Sequence, residues 1–447
     1  MGIETATLLS APREEVFAWH ARPGALRRLL PPWLPLTLER EAGSLADGEA
    51  VLRLPAGVRW TIRHRADAYD PGSRFAAAGD LPLTRSRVAW RHEHLFEEAG
   101  EGRTRVVDRV DSAVPSVALR PALTYGYRQL HGDLAIADEL RELAPRSLTI
   151  GMTGSSGLVG AQLAALLTTA GHRVVRLVRS GRPSTHTRVW DPQDPAADLA
   201  AGLDAIVHLA GAPIAGRFTD KHRRAVYDSR VGPTGRLARV AGDIPFVSAS
   251  AIGLYGADRG DELLDESSSR GTGFLADVVT DWEADAATAA GRHVCVRTGI
   301  VQSADGGALG LQRPLFAAGL GGPLAGGRQW LSWIALDDLL DIYYRAIVDE
   351  RLEGPVNAVA PHPQRQRDWA DTLGATLHRP TALPTPGFGP RLLLGSQGAR
   401  EVAEASQRVV PARLSELGHA FRFPHLEDAL RHTLGKTTDD TIARATA

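Results

Sequence analysis

The sequence predicts an α/β domain built on a parallel sheet, preceded by an α+β domain of separate character and followed by a small helical appendix. Three observations carry this. From Ser147 onward, short apolar strands alternate with helical segments, the pattern of a parallel sheet covered on both faces. The run "TGSSGLVG", residues 153–160, follows the first of those strands and opens a helix. Before it, polar and apolar residues alternate through several segments that end in one long helical stretch. At 447 residues the chain is too long for one hydrophobic core.

In chain order, "APREEVFAWH" has an acidic first turn and apolar Val16, Phe17 and Trp19, and stops near Pro23 and Gly24, which predicts a short helix. "VRWTIRHRADAYD", "RVAWRHEHLFEE" and "TRVVDRVDSAVP" alternate, and the last two are joined through the Gly100–Gly102 turn, which predicts an antiparallel meander. "ALTYGYRQLHGDLAIADELREL" then repeats apolar residues at helical spacing, long enough to cross a sheet. The parallel-sheet strands are expected at "LTIGM", "RVVRLV", "AIVHLAG", "PFVSAS", "HVCVRTGIV" and "PVNAVA". Beyond "PTPGFGP", the segments "RLLLGSQGAREVAEAS" and "HLEDALRHTLG" read as helices. Expected domains are residues 1–145, 146–385 and 386–436, with 437–447 a frayed tail.

The glycine run has a physical reading. Gly154 permits a tight turn, Gly157 lets a pyrophosphate reach the backbone amides, and Gly160 lets the helix pack closely. The amides and dipole at the helix start, including Ser155, Ser156, Leu158 and Val159, would then hold phosphates. A bare packing turn is the plainer alternative. An NAD site carries a carboxylate about 20 residues on, at the end of the second strand. Here that place reads "RLVRSGRP", with Arg176, Arg179 and Arg182, so NADP is expected, with Arg179 on its 2′-phosphate. A solvated strand end is the alternative for these arginines.

The ordered series "TGSSGLVG", "HLAGAPI", "SRVGPTGRL", "VSASAIGLYG", "DWEA", "VRTGIV", "GGRQWLSWIALDDL" and "VNAVAP" resembles the atypical extended short-chain dehydrogenase/reductases of nucleoside-diphosphate-sugar epimerase type, which have a Rossmann-like fold. The appendix, with "LSELGHAFRFPHLEDAL", resembles the domain of unknown function that accompanies them. The resemblance implies that Leu209, Ala210 and Gly211 lie against the cofactor, that Asp191 faces the adenine, and that Ser250 is the polar catalytic serine. It also exposes a gap. Short-chain reductases use a Tyr-x-x-x-Lys pair, in which lysine lowers the tyrosine pKa for proton transfer. Counting from Trp282 and Glu283, those positions hold Leu275 and Val279, which transfer no proton. Tyr255 becomes the substitute donor beside Ser250. Asp277, Asp281, Arg297, Trp330, Trp333, Asp337 and Asp338 are further polar or aromatic residues nearby, each with packing or capping as its plainer role.

Residues 1 to about 142 resemble the polyketide cyclase and START-like superfamily, through "APREEVFAWHARPGALRRLLPPW", the hairpin "WRHEHLFEEAGEGRTRVVDRVDSAVP" and the helix after it. The resemblance implies a helix-grip fold around an apolar cavity and a hydrophobic ligand, delivered to or sensed for the following domain. His92 and His94 share one side of their strand. With no third ligand beside them they read as a solvated strand face, so no metal site is expected.

Composition narrows the partners. Lys+Arg 51 against Asp+Glu 52 gives a net charge of -1, with no basic field for nucleic acid or anionic lipid. The single cysteine, Cys295, in an apolar strand, fits a buried thiol and a reducing, cytoplasmic setting. No stretch reaches the ~20 apolar residues of a membrane span, so no membrane partner is expected. Two functions stay open: an NADP-dependent oxidoreductase acting on a small, apolar substrate, and a non-catalytic NADP(H)-binding redox sensor or ligand carrier.

Overall fold

The structure is a computed structural model that describes residues 2–83, 86–383 and 388–437. The domain boundary expected at 385 and the tail expected after Thr437 lie outside the described residues. The described chain forms two compact units, residues 2–141 with 165–171 and 432–437, and residues 142–164 with 172–431.

In the first unit, seven antiparallel strands lie in the spatial order Gly2–Leu9, Thr104–Ser112, Ser86–Glu98, Arg74–Leu83, Arg59–His64, Glu49–Arg53 and Thr37–Arg40. The helix Ser116–Glu139 packs on this sheet through Tyr127, Leu130 and Leu134, which share a core with Phe17, Trp19, Phe75 and Phe96. The Tyr127 hydroxyl donates to the Thr5 carbonyl at 3.0 Å, tying helix to edge strand. Arg28 and Asp133 form a two-pronged buried pair, at 2.8 and 2.7 Å, between the short helix Ala25–Leu29 and the long one. The long helix starts at Ser116, six residues earlier than the apolar spacing predicts, and carries Pro121 within it.

In the second unit, seven parallel strands run in the order Thr187–Val189, Arg173–Val178, Thr149–Thr153, Ala205–His208, Phe246–Ala251, His293–Thr298 and Gly354–Ala358. Chain order proceeds outward from Thr149–Thr153 to one side and then returns to fill the other. The order therefore reverses between Thr149–Thr153 and Ala205–His208. Ligands of open α/β sheets bind in the crevice at such a reversal, beyond the carboxyl ends of the strands. The six strands expected from apolar runs all occur in this sheet, and Cys295 is buried within it. The C-terminal segment is not wholly helical: Ser406–Val409 is a strand that pairs in parallel with Asp258–Leu264. Among the described residues no helix is long and apolar enough to cross a membrane.

Candidate functional site

The three glycines of 154–160 answer to different constraints. Gly154 has φ +64°, and a Cβ there would stand 2.7 Å from the Leu209 carbonyl carbon and oxygen, so only glycine fits the turn. A methyl group at Gly160 would collide with the Gly154 carbonyl oxygen. Gly160 thus lets the helix Leu158–Thr169 pack closely on the turn that follows the strand Thr149–Thr153. Gly157 differs from both. Its φ is not left-handed, and a Cβ would meet only the Gly154 carbonyl oxygen, at 3.4 Å. The protein's own packing does not require glycine at 157. The amides of Leu158, Val159 and Gly160 open the helix and have no intrahelical acceptor.

A residue that the sequence reading passed over shapes this crevice. Thr153, fully buried, accepts hydrogen bonds from the amides of Leu209 and Ala210 at 3.1 and 3.2 Å. Its own hydroxyl proton is left for His208 Nδ1 at 2.8 Å, which sets that imidazole as the Nε2–H tautomer. Gly154, Leu209 and Ala210 are thereby fastened together at the strand-order reversal.

Burial, reinforced by the charge of Arg230, pushes the His208 pKa down to about 4. His208 is neutral in the folded state and gains a proton on unfolding below pH 6.5, so stability is present above 6.5 and falls as pH drops toward 4. This one group accounts for a loss of about 3 kcal/mol across that window. Denaturant titrations at pH 7 and 4.5 check this, and His208→Asn is expected to reduce the difference by about that amount, leaving the share of the other buried histidines.

Of the arginines proposed for a 2′-phosphate, Arg176 is engaged, its Nε donating to Ser155 Oγ at 3.1 Å. Arg179 lies exposed just beyond the end of Arg173–Val178 and makes no ion pair among the described residues. Asp191 is also exposed, and its carboxylate caps the local turn by accepting from the Gln193 amide at 2.8 Å.

At the carboxyl ends of the central strands, register brings three polar residues into one row. Ser250 is opposite Arg297, and Arg297 is opposite Asn357. Ser250 Oγ donates to Glu283 Oε1 at 2.6 Å, and Arg297 grips both oxygens of Glu283 at 2.9 and 2.8 Å. Arg297 Nη1 also donates to the Tyr255 hydroxyl at 3.0 Å, which itself lies 2.8 Å from both Asn357 Oδ1 and the Asp265 carbonyl. Burial alone would lower the Arg297 pKa, but Glu283 and Tyr255 hold it above the ordinary value. Burial raises that of Tyr255, against the pull of Arg297. Tyr255 is fully buried and its hydroxyl is committed on every side, so the structure gives it a bracing role. Glu283 is the group the sequence reading missed. In the sequence "DWEA" marks the helix register but carries no sign of what its carboxylate meets.

Leu275 and Val279, at the positions of the missing Tyr-x-x-x-Lys pair, are buried apolar residues of the helix Phe274–Ala286. Trp333 is core, and its indole donates to the His362 carbonyl. Asp338 is a buried clamp that accepts from the amides of Arg422 and Phe423, and burial with Asp341 nearby raises its pKa to about 8.

The first unit encloses a cavity of about 580 Å³ lined by apolar side chains including Leu29, Leu34, Trp60, Trp90, Leu119 and Leu123. His92, His94 and Asp108 line it too, so the reading of "RHEH" as a solvated strand face does not hold. Burial lowers the His92 pKa; burial alone would raise that of Asp108, but His94 and His92 hold it well below the carboxylate range. The partner that the sequence did not reveal, Asp108, arrives from the next strand, directly opposite His94. Its signal was an aspartate on the apolar phase of "TRVVDRVDS", between inward-facing Val106 and Val110.

Comparison with known proteins agrees with this division. Residues 2–147 match the family of polyketide cyclases, dehydrases and lipid transport proteins, 150–358 the NAD-dependent epimerase/dehydratase family, and 385–433 a domain of unknown function. An epimerase family protein of Mycobacterium bovis is 37% identical over 290 residues, 63% of this chain and 96% of that one. The crystal structure of a nucleoside-diphosphate sugar epimerase from Corynebacterium glutamicum is 41% identical, with TM-score 0.86, and covers 99% of this chain and 92% of that chain. The crystal structure of the human epimerase family protein SDR39U1 with NADPH is 30% identical, with TM-score 0.59, over 65% of this chain and 100% of that chain.

Proposed function

Because the chain belongs to the epimerase family, we propose that it binds NADP(H) at residues 154–160 and 209–211 and carries out hydride transfer with a small substrate at Ser250. The observation that carries this reading is Gly157, the one glycine of the loop whose missing side chain leaves room that the protein itself does not fill. The backbone at Gly154, Ser155, Ser156 and Gly157 would lie along the pyrophosphate, and the helix-opening amides of Leu158, Val159 and Gly160 would face its charge. Arg179, without an ion-pair partner among the described residues, suits a 2′-phosphate. The NADPH bound by human SDR39U1 supports the same choice. Asp191, which caps its own turn, is assigned at most a contact with the adenine edge.

The cofactor, when bound, supplies or accepts the hydride. The protein's part is the proton. In oxidation, a substrate hydroxyl beside Ser250 passes its proton to the serine oxygen while Ser250 passes its own to Glu283, which Arg297 holds in place. Reduction runs the relay in reverse. Tyr255 and Asn357 keep Arg297 oriented. Ser250→Ala and Glu283→Gln are each expected to lower turnover at least about a hundredfold, with NADPH affinity unchanged. NADPH oxidation across a panel of ketones and enones supplies the assay. Full activity in both variants would contradict the relay.

A second reading, a dinucleotide sensor without turnover, draws on Leu275 and Val279, which leave the usual proton-transfer positions apolar. It predicts NADPH binding with no oxidation of any substrate on the panel. The cavity of the first unit supports a hydrophobic ligand for that part of the chain.

A further inference from the structure

We propose that His92, His94 and Asp108 form a binding site for a divalent transition-metal ion in the wall of the first unit's apolar cavity. His92 Nε2 and His94 Nδ1 approach one oxygen of Asp108, at 2.7 and 2.6 Å, and the three ligand atoms lie within 4.8 Å of one another. Ligands 2.0–2.2 Å from a metal in tetrahedral or octahedral arrangement stand roughly 3–3.5 Å apart. Separating the two imidazoles slightly from the carboxylate would therefore admit an ion without moving the backbone.

The fold sets this triangle. His92 and His94 are two residues apart on one strand and so project to one face; Asp108 stands opposite His94 on the neighbouring strand. The two rings are 4.0 Å apart between centroids and tilted by 36°.

Two further observations point to a ligand. His64 Nδ1, in the same cavity, is buried without a hydrogen-bond partner. The Asp108 carboxylate is 6% exposed in a mostly apolar wall, where a charge costs heavily unless a cation or hydrogen-bond donors accompany it. Two imidazoles and one carboxylate suit zinc, iron(II) or cobalt(II), while calcium and magnesium prefer oxygen alone. Three protein ligands leave coordination positions open to the cavity, as in catalytic rather than structural sites. Those positions fit a carbonyl or carboxylate oxygen at the polar end of an otherwise apolar molecule.

The test uses the untagged full-length protein, stripped with chelator and titrated with cobalt(II) while its visible absorption is followed, then with zinc by calorimetry. One equivalent of each is expected. Asp108→Asn and His94→Gln should each weaken binding at least tenfold, whereas His131→Gln, a histidine of the long helix bonded to Thr7, should not. Should the variants fold poorly, diethylpyrocarbonate labelling of the unaltered protein provides the second measurement: zinc should protect His92 and His94 and leave His131 reactive. Absence of saturable uptake by the unaltered protein, wild-type affinity in Asp108→Asn, or equal labelling with and without zinc would overturn the proposal.

Discussion

Gly160→Ala is expected to abolish NADPH binding and to cost the second unit at least about 2 kcal/mol of stability, because the new methyl group must displace the Gly154 carbonyl. The obstacle is backbone, which cannot rotate out of the way as a side-chain tip can. Once the Gly154 turn moves, the amides of Leu209 and Ala210 also lose their fixed relation to Thr153. Gly157→Val is the informative contrast. Its backbone is not left-handed and its Cβ meets one atom at 3.4 Å, so folding should suffer far less than in Gly160→Ala. The isopropyl group would occupy the place assigned to the pyrophosphate, and NADPH affinity should fall at least tenfold. Thermal melts and fluorescence titration of the two variants separate the loop's structural glycines from its ligand-facing one.

Asp133→Ala is expected to be the most destabilising single change in the first unit, at about 3–5 kcal/mol. Arg28 is 1% exposed and Asp133 fully buried, so removing the carboxylate takes two charge-assisted hydrogen bonds from a guanidinium shielded from water. The pair joins the short helix Ala25–Leu29 to the long helix. Replacing both partners at once, as Arg28→Met with Asp133→Leu, is expected to recover much of the loss, because an apolar pair of similar volume carries no desolvation cost. Urea denaturation of the single and double variants checks both statements.

What the sequence disclosed follows from which interactions are local. The strands of the parallel sheet were legible because strands buried on both faces read as unbroken apolar runs, as in "RVVRLV" and "AIVHLAG". The glycine loop was legible because turn, ligand approach and helix start succeed one another within eight residues. Its partners were not: Thr153 acts through hydrogen bonds to residues 56 and 57 positions away. The strand Thr37–Arg40 went unread because "TLER" is an exposed edge strand with no alternation to betray it. Pro121 concealed the first turns of the long helix. Glu283 and Asp108 were missed for one reason: each gains its meaning from a neighbour on another element, Arg297 and Ser250 for the first, His92 and His94 for the second.

Native mass spectrometry of the full-length protein incubated with NADPH, and separately with NADH, tests the central assignment most directly. One NADPH retained on the unaltered chain, weaker retention of NADH, and loss of both from Gly157→Val is the predicted result. A protein that stays bare with either dinucleotide would contradict the assignment of residues 154–160, and the hydride-transfer function would fall with it.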